Sequence, residues 1–204
     1  MKVLIACEYS GIVRDAFAAL GHEAVSCDIL PTDSPGEHYQ GDVMDIINNE
    51  WDLMIAHPPC TYLCNSGVSW LYRDAKKMKA TDRWDRMLNG AEFFKSLLYA
   101  NIPKIAVENP IMHKYARNIV GANATQYVQP YHFGHSESKR TGLWLKNLPP
   151  LTATDDVYEE WKVLPKHEAQ RLHYLPPSAD RWKLRSATYK GIATAMAEQW
   201  GGND

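Results

Sequence analysis

Apolar residues follow two alternating rhythms along this chain. Residues 2–6, KVLIA, form a short run rich in Leu and β-branched side chains, the habit of a buried strand. The next segment, GIVRDAFAALGH, repeats Ile12, Val13, Ala16, Phe17 and Leu20 at helical spacing before Gly21 stops it. EAVSCDI (23–29) predicts a second strand and PTDSPGEHYQGD the loop after it. WDLMIAH predicts a third strand, closed by Pro58-Pro59, since proline has no N–H to give to a ladder. From Trp84 to Tyr99, Trp84, Met87, Leu88, Ala91, Phe94 and Leu98 recur at steps of three and four, predicting an amphipathic helix. KIAVENP then predicts a strand, GLWL (142–145) another, and ATYKGIATAMAEQW a closing helix with Ile192, Met196 and Trp200 inward. Alternating strands and helices predict an α/β fold, a doubly wound and mostly parallel sheet covered on both faces.

In such sheets ligands bind beyond the carboxyl ends of the strands. The unusual residues stand at those ends: Glu8 to Gly11, Asp28, His57 to Cys60 and Glu108 to Pro110 each close a predicted strand. Residues 146–185 are the least patterned stretch and are expected to be an insertion or lid within a single domain spanning 1–204.

Composition narrows the picture only a little. A 204-residue chain with 45% hydrophobic residues can bury a sizeable core. A formal charge of −2 argues against a strongly basic nucleic-acid binder while leaving room for a local basic face. Such a face is offered between Leu71 and Gly90, where six Lys or Arg (Arg73, Lys76, Lys77, Lys79, Arg83, Arg86) outnumber three Asp. The segment reads equally well as a loop that grips phosphates or as a solvated helix face. No run reaches membrane-spanning length, the N-terminus lacks a signal peptide's apolar stretch, and four cysteines without a secretory segment read as reduced thiols. The expectation is a cytoplasmic protein with no membrane partner.

The order of the motifs resembles the DNA cytosine-5 methyltransferases. ACEYSGIVRDAFAALGHEAVSCDI resembles that family's first cofactor loop, helix and second strand, and GDVMDI its next cofactor motif. PPCTYLCNSG resembles the Pro-Cys nucleophile loop, VENP the Glu-Asn motif, and FGHSESKRTGLWL a worn glutamine-arginine motif before a strand. Compact phage and prophage members of the family look similar. The resemblance implies methyl transfer from S-adenosylmethionine to cytosine C5 of DNA, duplex or single-stranded, in a bacterial or phage-infected cell.

The chemistry explains the residue types. Cytosine C5 is too electron-poor to attack a methyl sulfonium until a thiolate adds to C6, and Cys60 is the candidate. Negative charge then enters the ring and an acid must meet N3; Glu108, buried beside a strand end, is expected to have its pKa raised for that task. Asn109 would orient the loop, and Lys139 would polarise the base carbonyl. Gly11 suits a tight turn after the first strand, and Asp28 suits the ribose hydroxyls. The resemblance adds Glu8, Tyr9, Ser10 and Ile29 to this cofactor site. It places Asp42 near the adenine amino group, flanked by Val43, and adds Pro58. Arg73, Lys76, Lys77, Arg83 and Arg140 are the expected nucleic-acid contacts.

Departures and plainer readings stand beside this. Glu137 replaces the family's glutamine, Lys139 and Thr141 replace its two arginines, and Pro110 follows Glu-Asn. Only residues 146–185 stand where the family inserts a larger recognition domain, so a free nucleotide, single strands or RNA, a non-catalytic binding module, or a specificity partner or second copy remain open. Cysteine often merely fills space, Glu108 could be a solvated strand-end carboxylate, and Asp28 and Asp42 could be turn or cap residues. Cys7, Cys27 and Cys64 are expected in the core. His57, Cys60 and Cys64 also suggest zinc, but Cys-x3-Cys is the wrong spacing for a zinc deaminase and no metal is expected.

Overall fold

The computed structural model describes residues 1–74 and 78–202. Its sheet has seven strands: β1 (Lys2–Ala6), β2 (Glu23–Asp28), β3 (His38–Gln40), β4 (Leu53–Ala56), β5 (Lys104–Pro110), β6 (Gln126–Val128) and β7 (Thr141–Lys146). The spatial order is β3-β2-β1-β4-β5-β7-β6. Pairing is parallel from β3 through β5 and reverses at β7, which runs antiparallel to both neighbours, so the sheet is mixed. The segment expected to be a loop holds β3, three residues at the sheet edge and too short to show a period of two.

Strand alternation divides the core. Val3, Ile5, Leu53 and Ile55 face α1 (Ile12–Ala19) and, at the chain's end, the helix Lys190–Trp200. Leu4, Ala6, Met54, Ala56, Ile105 and Val107 face α2 (Ala80–Leu98) and α3 (Lys114–Val120). Burying Val3–Ala6 and Leu53–Ala56 against one layer or the other explains why β1, after Lys2, and β4 read as unbroken apolar runs. Trp144 of β7 seats its ring 5.0 Å from Phe94 and donates its indole N–H to Ala122 O, so its polar atom is satisfied inside the core.

Two helical faces differ from expectation. Leu20 and Leu88 are exposed, and the inner face of α1 instead buries Arg14 beside Val13 and Phe17. Arg14 is tolerated because its guanidinium is saturated: it donates to Asp15, Ser26 Oγ and the carbonyls of Ser34 and Pro35. The helix α2 also starts earlier than its apolar period, at Ala80.

After β7 come the short helices α4 (Tyr158–Trp161), α5 (Lys166–Ala169), α6 (Arg171–Tyr174) and α7 (Arg181–Ser186), before α8 (Lys190–Trp200). They pack on residues 131–139: Trp161 stacks against Tyr131 at 4.6 Å, and Ser138 donates its N–H and hydroxyl to Ala169 O. No helix among the described residues is long and apolar enough to cross a membrane.

Candidate active site

Strand register assembles the site. Ala56 of β4 pairs with Val107 of β5, so the next residues, His57 and Glu108, stand side by side. Pro110 of β5 pairs with Thr141 of β7, which brings Lys139 to the same rim. His57 Nδ1 lies 3.1 Å from Glu108 Oε1, an ion-pair distance, but the oxygen sits off the ring's N–H axis. His57 Nε2 and Asn109 Oδ1 are buried with no hydrogen-bond partner among the described residues, the condition of groups that await a ligand or water.

Burial opposes charge on both members of this pair, yet their attraction outweighs it. Glu108 is held below the ordinary carboxylate range by His57 and Lys139, and His57 is raised by Glu108 and Glu8. This corrects the expectation of a raised Glu108. Burial does push its carboxyl upward, but the imidazolium beside it wins, so the proton of the pair rests on His57.

Pro58 and Pro59 end the β4 ladder and the chain turns at once, with Cys60 O accepting from the N–H groups of Leu63 and Cys64. The turn sets Cys64 against Cys60. A hydrogen bond from the Cys64 thiol lowers the Cys60 thiol to about 7; Lys139 assists, while burial and the Glu108 charge oppose. Cys64 is correspondingly pushed far up. It is buried as expected, but as the thiol that stabilises its neighbour's thiolate rather than as filler. The Asn109 amide reaches Cys64 and donates to Pro110 O at 2.6 Å, so it steadies this loop through Cys64. Replacing Cys64 by Ala is expected to slow alkylation of Cys60 by iodoacetamide at pH 7 by about tenfold or more, with the rate recovering at alkaline pH. An unchanged pH profile in the variant would remove Cys64 from this role.

The loop that carries Cys60 is fastened from outside. His113, buried at the start of α3, accepts the Ala116 N–H at Nδ1, so its Nε2–H donates to Tyr62 O at 2.9 Å. Arg83 lies 5.1 Å over the Tyr62 ring. Arg73 is exposed at the end of the 3-10 helix Asn65–Tyr72, and Lys76 and Lys77 lie outside the described residues. Arg140 stacks 4.4 Å over Tyr127 of the edge strand β6. Glu137 is bound by Arg171 and accepts from Tyr189 Oη at 2.8 Å, so it ties α6 to α8.

Acidic residues gather beyond the carboxyl ends of β1 and β2, where the ligand crevice of an α/β sheet lies. Cys7 takes φ +58°, a left-handed turn that costs a non-glycine residue about 1 kcal/mol or more. Gly11 follows at φ +73°, where a Cβ would stand 2.4 Å from Arg14 Nη2. Glu8 does not face outward. Its two carboxylate oxygens accept from Ser10 Oγ and from the N–H groups of Val13 and Arg14, so the chain itself fills the N-terminus of α1. Asp28 and Asp42 both act on the Cys7 thiol, which burial and their charges push well up. Each also makes the turn or cap bond that its residue type favours, Asp28 from Leu30 N–H and Asp42 from Met44 N–H. The Val43 side chain lies in the core, which leaves its backbone to border a cofactor. Ile29 is largely exposed beside the crevice.

The helix α7 covers this end of the sheet. Tyr9 Oη contacts Ser186 Oγ at 3.2 Å, its ring meets Trp182 at 5.6 Å, and Lys183 pairs with Asp33. Lys139 Nζ donates to Ala187 O, joining the same segment to the base-side rim. Among the described residues no set of three His, Cys, Asp or Glu side chains converges as metal ligands.

No family model and no curated protein matches the chain. Solved structures do. One is a prophage-encoded E. coli protein described as a DNA modification methyltransferase, 15% identical, with a TM-score of 0.43 and coverage of 80% of this chain and 55% of that one. Another is the Entamoeba histolytica methyltransferase EhMeth, 16% identical, with a TM-score of 0.45 and coverage of 76% and 57%. The chain thus spans little more than half the length of either.

Proposed function

We propose that this protein methylates cytosine C5 in DNA through a covalent adduct on Cys60. The observation that supports this reading most is geometric: strand register sets Cys60, just past the Pro58-Pro59 end of β4, at the rim that carries Glu108 and Lys139, with Cys64 turned against it, and the Cys64 thiol and the Lys139 ammonium both favour its thiolate. A space-filling cysteine needs neither a thiol donor nor a cation, whereas a nucleophile that must be a thiolate near neutrality needs both.

The β1–β2 crevice suits S-adenosylmethionine better than a nucleotide carrying phosphates. A phosphate needs free N–H groups at a helix N-terminus. Here Glu8 occupies those of α1, and Asp28 and Asp42 add negative charge. A sulfonium and an ammonium are attracted by the same carboxylates, and Asp28 stands where a ribose diol would donate. When bound, the cofactor supplies a methyl group on positively charged sulfur. Tyr9, Ser10 and Gly11 would border it, with α7 as a lid.

In the reaction, the Cys60 thiolate forms a bond to C6, and electrons displaced into the ring are met at N3 by the proton stored on the His57–Glu108 pair. Lys139 neutralises charge on the base carbonyl. C5 would then take the methyl group, the donor sulfur keeping the bonding pair as a neutral thioether; a base or water removes the C5 proton, and elimination breaks the S–C6 bond, returning the Cys60 thiolate as N3 gives its proton back to the pair. Asn109 holds the loop in register throughout.

The deciding experiment incubates the purified chain with an oligonucleotide containing 5-fluorocytosine and labelled S-adenosylmethionine. Fluorine at C5 blocks the final elimination, so a protein–DNA adduct carrying one labelled methyl group is expected by mass spectrometry. Label in adenine, or no label in nucleic acid at all, would end this reading.

A further inference from the structure

Beside the nucleophile loop lies a second concavity, with a volume of about 490 Å³. One wall is the 3-10 helix Asn65–Tyr72, contributing Val68, Ser69 and Tyr72. The other is the segment 111–117, contributing Tyr115, Lys114 and Arg117. We propose that this groove holds an unpaired stretch of polynucleotide next to the target base, with bases stacking on Tyr72 and Tyr115 and phosphates meeting Lys114 and Arg117. The inference rests on the methyl-transfer reading for its target base, but the groove's binding is separable from catalysis.

Three features point to this occupant. The first is charge: among the described residues the groove is lined by two cations and by no acidic residue, in a protein whose formal charge is −2. The second is the aromatic surface. Tyr115 is braced edge-on by Trp84 at 5.2 Å and by Tyr72 at 6.0 Å, while Tyr72 itself is 61% exposed. An exposed tyrosine fixed by other rings, with Lys114 Nζ 5.0 Å above Tyr115, offers π-faces that every base can use at little entropic cost. Bases in a duplex already cover one another's faces, so this surface favours an unpaired strand.

The third feature is continuity with Cys60. Asn65 N–H donates to Ile111 O, His113 N–H donates to Leu63 O, and Cys64 bridges to Met112. The groove floor and the nucleophile turn are therefore one laced unit. A strand whose base enters beside Cys60 would pass its neighbouring nucleotides over this floor.

Fluorescence anisotropy with labelled 12-mer single-stranded DNA, its duplex and the matching RNA tests the inference on the whole chain without cofactor. Tyr72→Ala is expected to weaken single-strand binding by roughly five- to a hundredfold, and Tyr72→Phe to restore it. Lys114→Ala with Arg117→Ala should flatten the dependence of log affinity on log salt by about 1.4, two phosphates at ~0.7 each. DNA and RNA affinities then show which strand is preferred. Equal weakening on duplex and single strand would overturn the unpaired occupant, and unaltered binding by all variants would remove nucleic acid from the groove. Because the readout is binding, a failed adduct assay with intact stacking effects, or the reverse, separates the two proposals.

Discussion

Replacing Cys60 by Ala or Ser is expected to reduce methyl transfer by at least about 10⁴-fold and to abolish the 5-fluorocytosine adduct, while the fold survives. The serine variant is the sharper of the two. It keeps nearly the same volume and a polar atom at the same place, so a structural cysteine would tolerate it. A nucleophile would not, because a hydroxyl gains no negative charge near neutrality from the bond that lowers the Cys60 thiol to about 7. Cys60 is only partly buried and its thiolate stands against the like charge of Glu108, so neither variant should lower stability by more than about 1 kcal/mol. Titrating wild-type Cys60 reactivity should give a midpoint near 7, set by Cys64 and Lys139 against burial and Glu108. Turnover within a tenth of wild type in either variant would exclude the adduct.

The site's skeleton was legible because each piece is local. Proline pairs stop a ladder, so Cys60 had to follow a strand end, and the apolar run before Glu108 had to be another strand. That these ends are neighbours is a matter of register, Ala56 beside Val107 and Pro110 beside Thr141, which no local pattern states. Cys60, Glu108, Asn109 and Lys139 nevertheless come together as the motif order implied.

What stayed hidden depends on partners far along the chain. From sequence His57 is a strand-end residue or a zinc ligand, whereas its carboxylate partner lies on a different strand. Arg14 sits off the face that periodicity assigns to the core, and its burial is intelligible only with Ser26 and the carbonyls of Ser34 and Pro35 in place. Tyr9 meets Ser186 across most of the chain's length. His113, the latch on the nucleophile loop, carries no motif. Its role shows only with α3 in place, where a ring nitrogen takes the place of a capping oxygen.

Removing His57 should expose how much of the fold rests on its pair with Glu108. His57→Gln leaves a carboxylate buried with Lys139 as its remaining cation, and breaking a buried pair from one side costs about 3–5 kcal/mol. For a chain of this size that corresponds to a fall in Tm on the order of 10 °C. The loss should depend on pH in a defined direction. Glu108 has a folded pKa below its ordinary 4.5, so its share of stability is present above that value and vanishes as pH falls through the folded one. His57 has a folded pKa above its ordinary 6.5, so its share is complete below that value and vanishes as pH rises through the folded one. Wild type and variant should therefore differ most between about pH 4.5 and 6.5 and converge on either side. Adding Glu108→Gln to His57→Gln removes the stranded charge and should recover much of the loss, since two neutral amides of matching size can share the site. A Tm difference that is flat with pH, or a double variant as unstable as the sum of the singles, would show that His57 contributes by packing and stores no proton for the base.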